Sequence, residues 1–308
     1  MVKISRLLRN SAAGAAGIFS GLILYSKFKG RPESHPIPPF FTHKKHYIFA
    51  HRGGMALRPE LTKLAFDTAQ DYEVDGFETD VRVTRDEQLI VFHDAEVDRT
   101  TNGSGKVSEH RLDEIQRLDA GYHFKDINND TPYRNHPDAK VMTFDELLET
   151  YPEMLINVDL KDHPDSMEGQ IAPELIYESI VSHNAQNRVL VTSFYQEQIR
   201  RFNEISLGTV AIGASEEEVT VGLTKFFTGL GNMFEVQANT FQMPTTYHNI
   251  PLTSQRLISW LNSRNIVPGY YGVNSIDLMS DLFNKGVHTV VTDRPDLAFQ
   301  YRQNQVQK

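Results

Sequence analysis

Two histidines, several carboxylates and two cationic side chains recur at spacings that chemistry could use. His51 and Arg52 open the run His51-Arg52-Gly53-Gly54, Glu78 and Asp80 stand two apart in Phe77-Glu78-Thr79-Asp80-Val81, and His93 precedes Asp94. Imidazole titrates near neutrality, so His51 and His93 are candidates to take a proton from an attacking oxygen and return one to a leaving oxygen. Arg52 and Lys161 carry fixed charge suited to phosphoryl oxygens. Glu78 and Asp80, at i and i+2, point to the same face of a strand. Two carboxylates that close repel unless a cation lies between them, and hard oxygen donors select Ca²⁺ or Mg²⁺. Asp159 offers a third carboxylate from Leu155-Ile156-Asn157-Val158-Asp159-Leu160-Lys161. The blander reading makes each histidine structural and places Glu78 and Asp80 on a solvent-facing edge strand. Against it, the Asp159 run is apolar enough to be buried, and buried charges need partners. In this order the residues predict a metal-assisted phosphodiesterase site.

These side chains need elements to position them. From residue 45 onward the chain alternates strand-like and helical segments. Strands are predicted at 45–50, 76–84 (extended by 89–92), 155–160, 189–192, 209–212, 234–238, 266–271 and 287–292. Helices are predicted at 62–72, 144–150, 172–183, 196–203, 216–227, 254–262 and 276–284. Eight strands alternating with helices predict a parallel sheet closed as a (β/α)8 TIM barrel, with an open doubly wound sheet as runner-up. No G-x-G-x-x-G or phosphate-binding lysine loop follows any strand, which counts against nucleotide-binding folds. The Asn- and Asp-rich stretch of about 95–140 has little periodicity and reads as a small insertion after the second strand. In a barrel the catalytic groups belong at the carboxyl ends of strands. His51, Glu78, Asp80, His93, Asp159, Lys161, Asn274 and Asp293 all fall at such ends.

The remaining composition sets limits. The chain has 308 residues, no cysteine and a formal net charge of −9. No thiol nucleophile, disulfide or zinc–thiolate site is available. Phosphate backbones attract basic surfaces, so a nucleic-acid partner is not expected. Residues 1–28 place Lys3, Arg6 and Arg9 before an apolar run from Ala12 to Tyr25 and are expected to form a membrane signal anchor, with the barrel at 43–308 outside the membrane. A secreted protein and a mitochondrial presequence are the alternatives. Residues 29–42, rich in proline, read as an extended linker.

The ordered motifs carry a resemblance. H-R-G (51–53), P-E-x-T (59–62), E-x-D-V-x-x-T-x-D (78–86), H-D (93–94), R-T-T-x-G-x-G (99–105), D-x-K (159–161), S-F (193–194) and T-D-x-P (292–295) resemble the glycerophosphodiester phosphodiesterase family over residues 46–295. The resemblance implies a (β/α)8 barrel with an insertion after the second strand and a divalent-cation site. It implies hydrolysis of glycerophosphodiesters to glycerol 3-phosphate and an alcohol. It casts His51 and His93 as the acid/base pair, Arg52 as a phosphate ligand, Glu78 and Asp80 as metal ligands, and Glu60 as support for the metal site. It also implies that the substrate's own 2-hydroxyl attacks, giving a cyclic phosphate that water opens. Three positions depart from the family pattern. Leu61 replaces an Asn, Asp159 stands where Glu is usual, and Tyr271-Gly272-Val273-Asn274 lacks a Trp expected to stack on glycerol. The expected partners are small glycerophosphodiesters or glycerophosphate polymers, and a membrane through the N-terminal segment. The rival readings are sphingomyelinase D-like action on intact phospholipids and a catalytically silent, membrane-tethered binding module.

Overall fold

Short apolar strands alternate with helices whose starts are marked by Ser or Thr. The structure, a computed structural model, describes residues 21–26 and 36–306. Strands β1 (Tyr47–His51), β2 (Gly76–Val83), β4 (Leu155–Leu160), β5 (Val189–Thr192), β6 (Ala211–Ile212), β7 (Thr240–Pro244), β10 (Val267–Tyr271) and β11 (Thr289–Thr292) run parallel, in the order β6-β5-β4-β2-β1-β11-β10-β7. A parallel bridge between Gly213 and Thr240 joins the two ends, so the sheet is a near-closed barrel of eight parallel strands. The short β3 (Leu89–Val91) pairs antiparallel with β2, and β8 (Thr246–Tyr247) and β9 (Ile250–Pro251) form a separate hairpin.

The helices are α1 (Lys63–Asp71), α2 (Leu112–Ile115), α3 (Phe144–Thr150), α4 (Met167–Ser182), α5 (Gln196–Ser206), α6 (Glu216–Phe227), α7 (Gln255–Asn262), α8 (Ile276–Asn284) and α9 (Pro295–Val306). Thr62, Thr143, Ser166, Ser215, Ser254 and Ser275 each cap a helix by accepting from a backbone N–H of its first turn. Helix α4 begins five residues earlier than its apolar spacing suggests, because Ser166 rather than Pro173 sets its start. Pro173 donates nothing to the carbonyl of Gly169, which would break an unsupported helix. The side chain of Gln198 fills that role, donating to Gly169 O at 2.9 Å.

Strand alternation builds the interior. Phe49, Leu190, Ala211, Val267 and Val291 pack with Tyr47 and with Phe40 and Phe41 in one buried cluster. One pleat further on, the same inward parity brings up His51, Glu78, Asn157, Thr192 and Gln242. Asn157 Nδ2 donates to Gln242 Oε1 at 3.0 Å across the barrel. Apolar side chains therefore plug the lower barrel, and polar ones fill its upper end.

Four expectations need correction. The sixth barrel strand is Thr240–Pro244, not 234–238. Phe234, Val236 and Ala238 are buried in alternation and so imitate a strand, but they lie outside the strands of the barrel. The expected linker ends too late. Pro39–Phe41 is a 3-10 turn, and Phe40 and Phe41 are only 0% and 2% exposed. The insertion is folded rather than merely polar. Its Val97, Val107, Ile115 and Ala120 pack with Ile90, Phe92 and Val141 on either side of it in a small buried cluster. The anchor helix expected over 1–28 lies largely outside the described residues. Residues 21–26 are helical, and the backbone oxygen of Ser26 accepts from Asn232 Nδ2 at 3.0 Å. Among the described residues no helix is long and apolar enough to cross a membrane, so they give the anchor no support.

Candidate active site

The turn leaving β1 is built for one backbone path. Arg52, Gly53 and Gly54 take φ values of 51°, 77° and 91° in succession. A Cβ at Gly53 would come within 2.8 Å of the Ala65 Cβ, and one at Gly54 within 2.7 Å of the Pro295 ring. Two glycines therefore let the chain double back against α1 and α9. The Arg52 amide donates to the Glu78 carbonyl at 2.9 Å and lies 3.3 Å from Glu78 Oε2, which fixes the turn to β2.

His51 ends β1 and faces Glu78. Its Nδ1 lies 2.5 Å from Asp293 Oδ1, and its Nε2 lies 3.7 Å from Glu78 Oε2. Asp293 is itself held, because Asn274 Nδ2 donates to its Oδ2 at 2.6 Å and Asn274 Oδ1 accepts from its amide at 2.8 Å. Burial would lower the pKa of His51, but the charge of Glu78 and the hydrogen bond and charge of Asp293 outweigh it and raise it above the usual 6.5. The pairing with His51 and Asn274 lowers that of Asp293 against the effect of burial.

His93 stands beyond β3 with Nδ1 at 2.6 Å from Asp94 Oδ1. Arg99 reaches from Asp94 Oδ2, at 2.5 Å, to both oxygens of Glu60, at 2.9 and 2.7 Å. Burial drives the pKa of His93 down, and Arg52 and Lys161 add to this, so it falls below 6.5 despite Asp80 and Asp94. The two histidines are thus pushed apart, one toward the protonated form and one toward the neutral form.

Between them sits a charged cluster. Glu60 accepts from Arg52 at 2.9 Å, and Arg52 Nε lies 3.3 Å from Asp80 Oδ2. Lys161 Nζ lies 3.0 Å from Asp80 Oδ1 and 2.5 Å from Asp159 Oδ2. Asp80 and Asp159 are register partners on β2 and β4. Glu78 is pushed up to about 7 by burial and then by repulsion from Asp80. Burial also raises Asp159, with Lys161 opposing it. Lys161 is raised in turn, since Asp159 and Asp80 outweigh its own burial. Asp80 Oδ2 and Asp159 Oδ1 are buried without a hydrogen-bond partner.

Oxygen donors of this kind fit a hard divalent cation. Carboxylate oxygens without a hydrogen bond, and a Glu78 raised by burial and by Asp80, show a group of acids that two cations only partly offset. Among the described residues, however, no three His, Asp or Glu close on one point, and the ammonium of Lys161 lies between Asp80 and Asp159.

All eight residues singled out from the sequence therefore gather at the carboxyl end of the barrel. His51, Arg52, Glu78, Asp80, His93, Asp159 and Lys161 line one cleft of about 400 Å³. Glu60 stands behind them, held by the two arginines. Sequence reasoning gave no role to Asp293, Asn274, Asp94 or Arg99. The T-D-x-P and H-D motifs contained two of these acids, but their pairing with histidine is a three-dimensional fact. Arg82 was also missed. It donates to the carbonyls of His93 at 3.1 Å and Lys161 at 2.9 Å, and so ties two site-bearing segments together.

Two histidines, each held at Nδ1 by a carboxylate, stand beside Arg52 and Lys161 at the carboxyl end of a near-closed barrel of eight parallel strands, a set of groups that phosphodiester hydrolysis can use. The chain belongs to the glycerophosphoryl diester phosphodiesterase family, whose model matches residues 51–297. It is similar to the YhdW protein of Bacillus subtilis strain 168, with 31% identity over 257 residues, covering 81% of this chain and 95% of that one. It is also similar to the glycerophosphodiester phosphodiesterase of the same strain, with 28% identity over 252 residues, covering 80% and 83%. An Oleispira antarctica phosphodiesterase, solved in complex with the product sn-glycerol-3-phosphate, has the same fold. Its TM-score is 0.66 and its identity 20%, over 85% of this chain and 97% of that one. Enzymes of this family are generally divalent-cation dependent.

Proposed function

We propose that the protein hydrolyses glycerophosphodiesters to glycerol 3-phosphate and an alcohol, with His93 as general base and His51 as general acid. The observation that carries this reading is geometric: two histidines face one cleft, each held at Nδ1 by a carboxylate, Asp293 on His51 and Asp94 on His93. The neutral imidazole of His93, with Nδ1 engaged by Asp94, takes the proton of the substrate's 2-hydroxyl at Nε2. The protonated imidazole of His51, oriented by Asp293 through Nδ1, gives its Nε2 proton to the leaving alcohol oxygen. Water then opens the resulting cyclic phosphate with the proton transfers reversed. Arg52 and Lys161 hold the non-bridging oxygens as charge builds on them. Glu60 acts through Arg52 rather than on the substrate. Glu78, Asp80 and Asp159 are the groups that would hold a divalent cation, Ca²⁺ or Mg²⁺. When bound, that ion supplies charge that stabilises the phosphoryl oxygens.

Purified full-length protein is offered a panel of glycerophosphodiesters, with and without EDTA and beside His51→Ala. Glycerol 3-phosphate release that both treatments abolish is the expected result. No release from any member, with Ca²⁺ or Mg²⁺ present, would sink the assignment. The position of the domain outside a membrane, tethered through residues 1–28, is a separate proposal resting on the basic and then apolar order of that segment. Deleting those residues should release the protein from the membrane fraction, and an unchanged distribution overturns the tether.

A further inference from the structure

The helical residues 21–26 lie against the barrel on one side only. Ile23 and Ser26, three apart and so on one face of a helix, are turned toward it. The Ile23 side chain comes 3.6 Å from where a Cβ on Gly229 would stand, so that glycine leaves it room. Ser26 is 1% exposed, and its carbonyl accepts from Asn232 Nδ2 at 3.0 Å. Leu22, Leu24 and Tyr25 lie on the other side and are exposed, and Phe227, two residues before Gly229, is exposed too. A seated helix that turns a serine inward and three large apolar side chains outward is inverted for water. The seat is at a defined end of the barrel. Gly229 and Asn232 belong to the connection from α6 to β7, which returns the chain to the amino ends of the strands. In a (β/α)8 barrel that end is the floor, opposite the catalytic rim.

We infer that this corner of the floor rests against a lipid bilayer, so that the catalytic cleft opens away from the membrane into water. The inference rests on the tether proposed above and adds to it which way the barrel faces. The apolar run from Ala12 to Tyr25 leads directly into the seated residues. A chain bound to lipid through that run brings the bilayer to the place where Ile23 and Ser26 are held, and not to the rim. Leu22, Leu24 and Tyr25 then meet lipid in place of water. Tyr25 and Trp260 suit the head-group level, where amphipathic rings gather. Trp260, the chain's one tryptophan, is partly buried at this corner, with its ring centre 5.2 Å from that of Phe226. The rim is well separated from the floor. Strand β2 has eight residues, which at ~3.3 Å each and with the tilt of barrel strands sets the two ends roughly 20 Å apart. Turning the cleft toward the bilayer would give up the contacts of Ile23 with Gly229 and of Ser26 with Asn232.

The chain has no cysteine, so one introduced Cys is its only thiol label site. The test uses full-length Thr224→Cys, near the floor end of α6, and full-length Thr246→Cys, on the hairpin at the cleft mouth, both at exposed positions. Each is labelled with a fluorophore and reconstituted into phosphatidylcholine–phosphatidylglycerol vesicles that carry a nitroxide on the lipid head group. Emission should fall by about half at position 224 and by less than about a tenth at position 246, because contact quenching does not reach across roughly 20 Å of barrel. Adding Ile23→Ala together with Asn232→Ala should leave the protein in the vesicle pellet and bring the two losses together, since the seat is gone. Equal losses without those changes, or a greater loss at position 246, would overturn the orientation and leave the tether standing. Losses that the double change does not move would show that this seat does not orient the barrel. Protein that fails to pellet with the vesicles would overturn the tether and the orientation alike.

Discussion

At the scale of single residues, the proposed function turns on which histidine holds a proton. Glu78 and Asp293 together raise His51 against its burial, and burial with nearby cations lowers His93. A general base must be neutral, so kcat/KM should rise with pH through a limb below 6.5 that belongs to His93. A general acid must be protonated, so it should fall through a limb above 6.5 that belongs to His51. Removing the charge in Asp293→Asn takes away two of the causes that raise His51. The alkaline limb should then move to lower pH while the acid limb stays in place, alongside a loss of kcat on the order of 10²-fold or more. A pH–rate profile of the variant decides the matter. An alkaline limb that does not move would remove His51 from the role of acid.

At the scale of elements, the barrel depends on a part that looks dispensable in the sequence. Phe40 is fully buried and stacks on Phe49 at 5.9 Å between ring centres, while Phe41 meets His288 edge-on at 5.8 Å. Phe40→Ala should lower stability by about 3–5 kcal/mol, read from urea unfolding, with little change in KM because the site lies at the other end of the strands. An unchanged unfolding midpoint would show that the turn only rests on the barrel. The turn was hidden because four prolines within residues 32–39 say "extended", and only burial reveals that the two phenylalanines after them belong to the core. The same limit explains the misplaced sixth strand. Phe234, Val236 and Ala238 have the period of a strand, whereas Thr240–Pro244 carries Gln242 in its middle and a proline at its end. Gln242 faces inward to meet Asn157, a contact no local pattern announces. The other barrel strands were legible because their apolar runs are bounded by polar turns. Seven of the eight candidate residues were legible because they lie on or just past a barrel strand or its hairpin, whereas Glu60, in the connection between β1 and α1, came only from the family resemblance. Asp293 and Asn274 were visible at the rim but not as partners of His51, since 242 residues separate the acid from the histidine it orients.

At the scale of the molecule the difficulty is charge. The protein carries 31 Lys and Arg against 40 Asp and Glu, a formal net charge of −9, yet its substrate is an anion. The site itself sets Glu60, Glu78, Asp80, Asp94, Asp159 and Asp293 against Arg52, Arg99 and Lys161, six acids to three bases. Coulomb repulsion from such a rim opposes phosphate binding unless positive charge is added. Partial protonation of Glu78, which titrates at about 7, relieves only one of the acids. A divalent cation would relieve more, and it would bind the folded chain far better than the unfolded one, where these acids are scattered. Ca²⁺ or Mg²⁺ should therefore raise the thermal midpoint, by the equivalent of ~2.7 kcal/mol at a hundredfold excess over Kd, in the absence of any substrate. EDTA should reverse the shift. Glu78→Gln together with Asp159→Asn should abolish it, and the apo double variant should melt no lower than wild type because two repelling carboxylates are gone. A midpoint that ignores both cations in the wild-type protein would mean that Lys161, already between Asp80 and Asp159, is the only counter-charge the site uses.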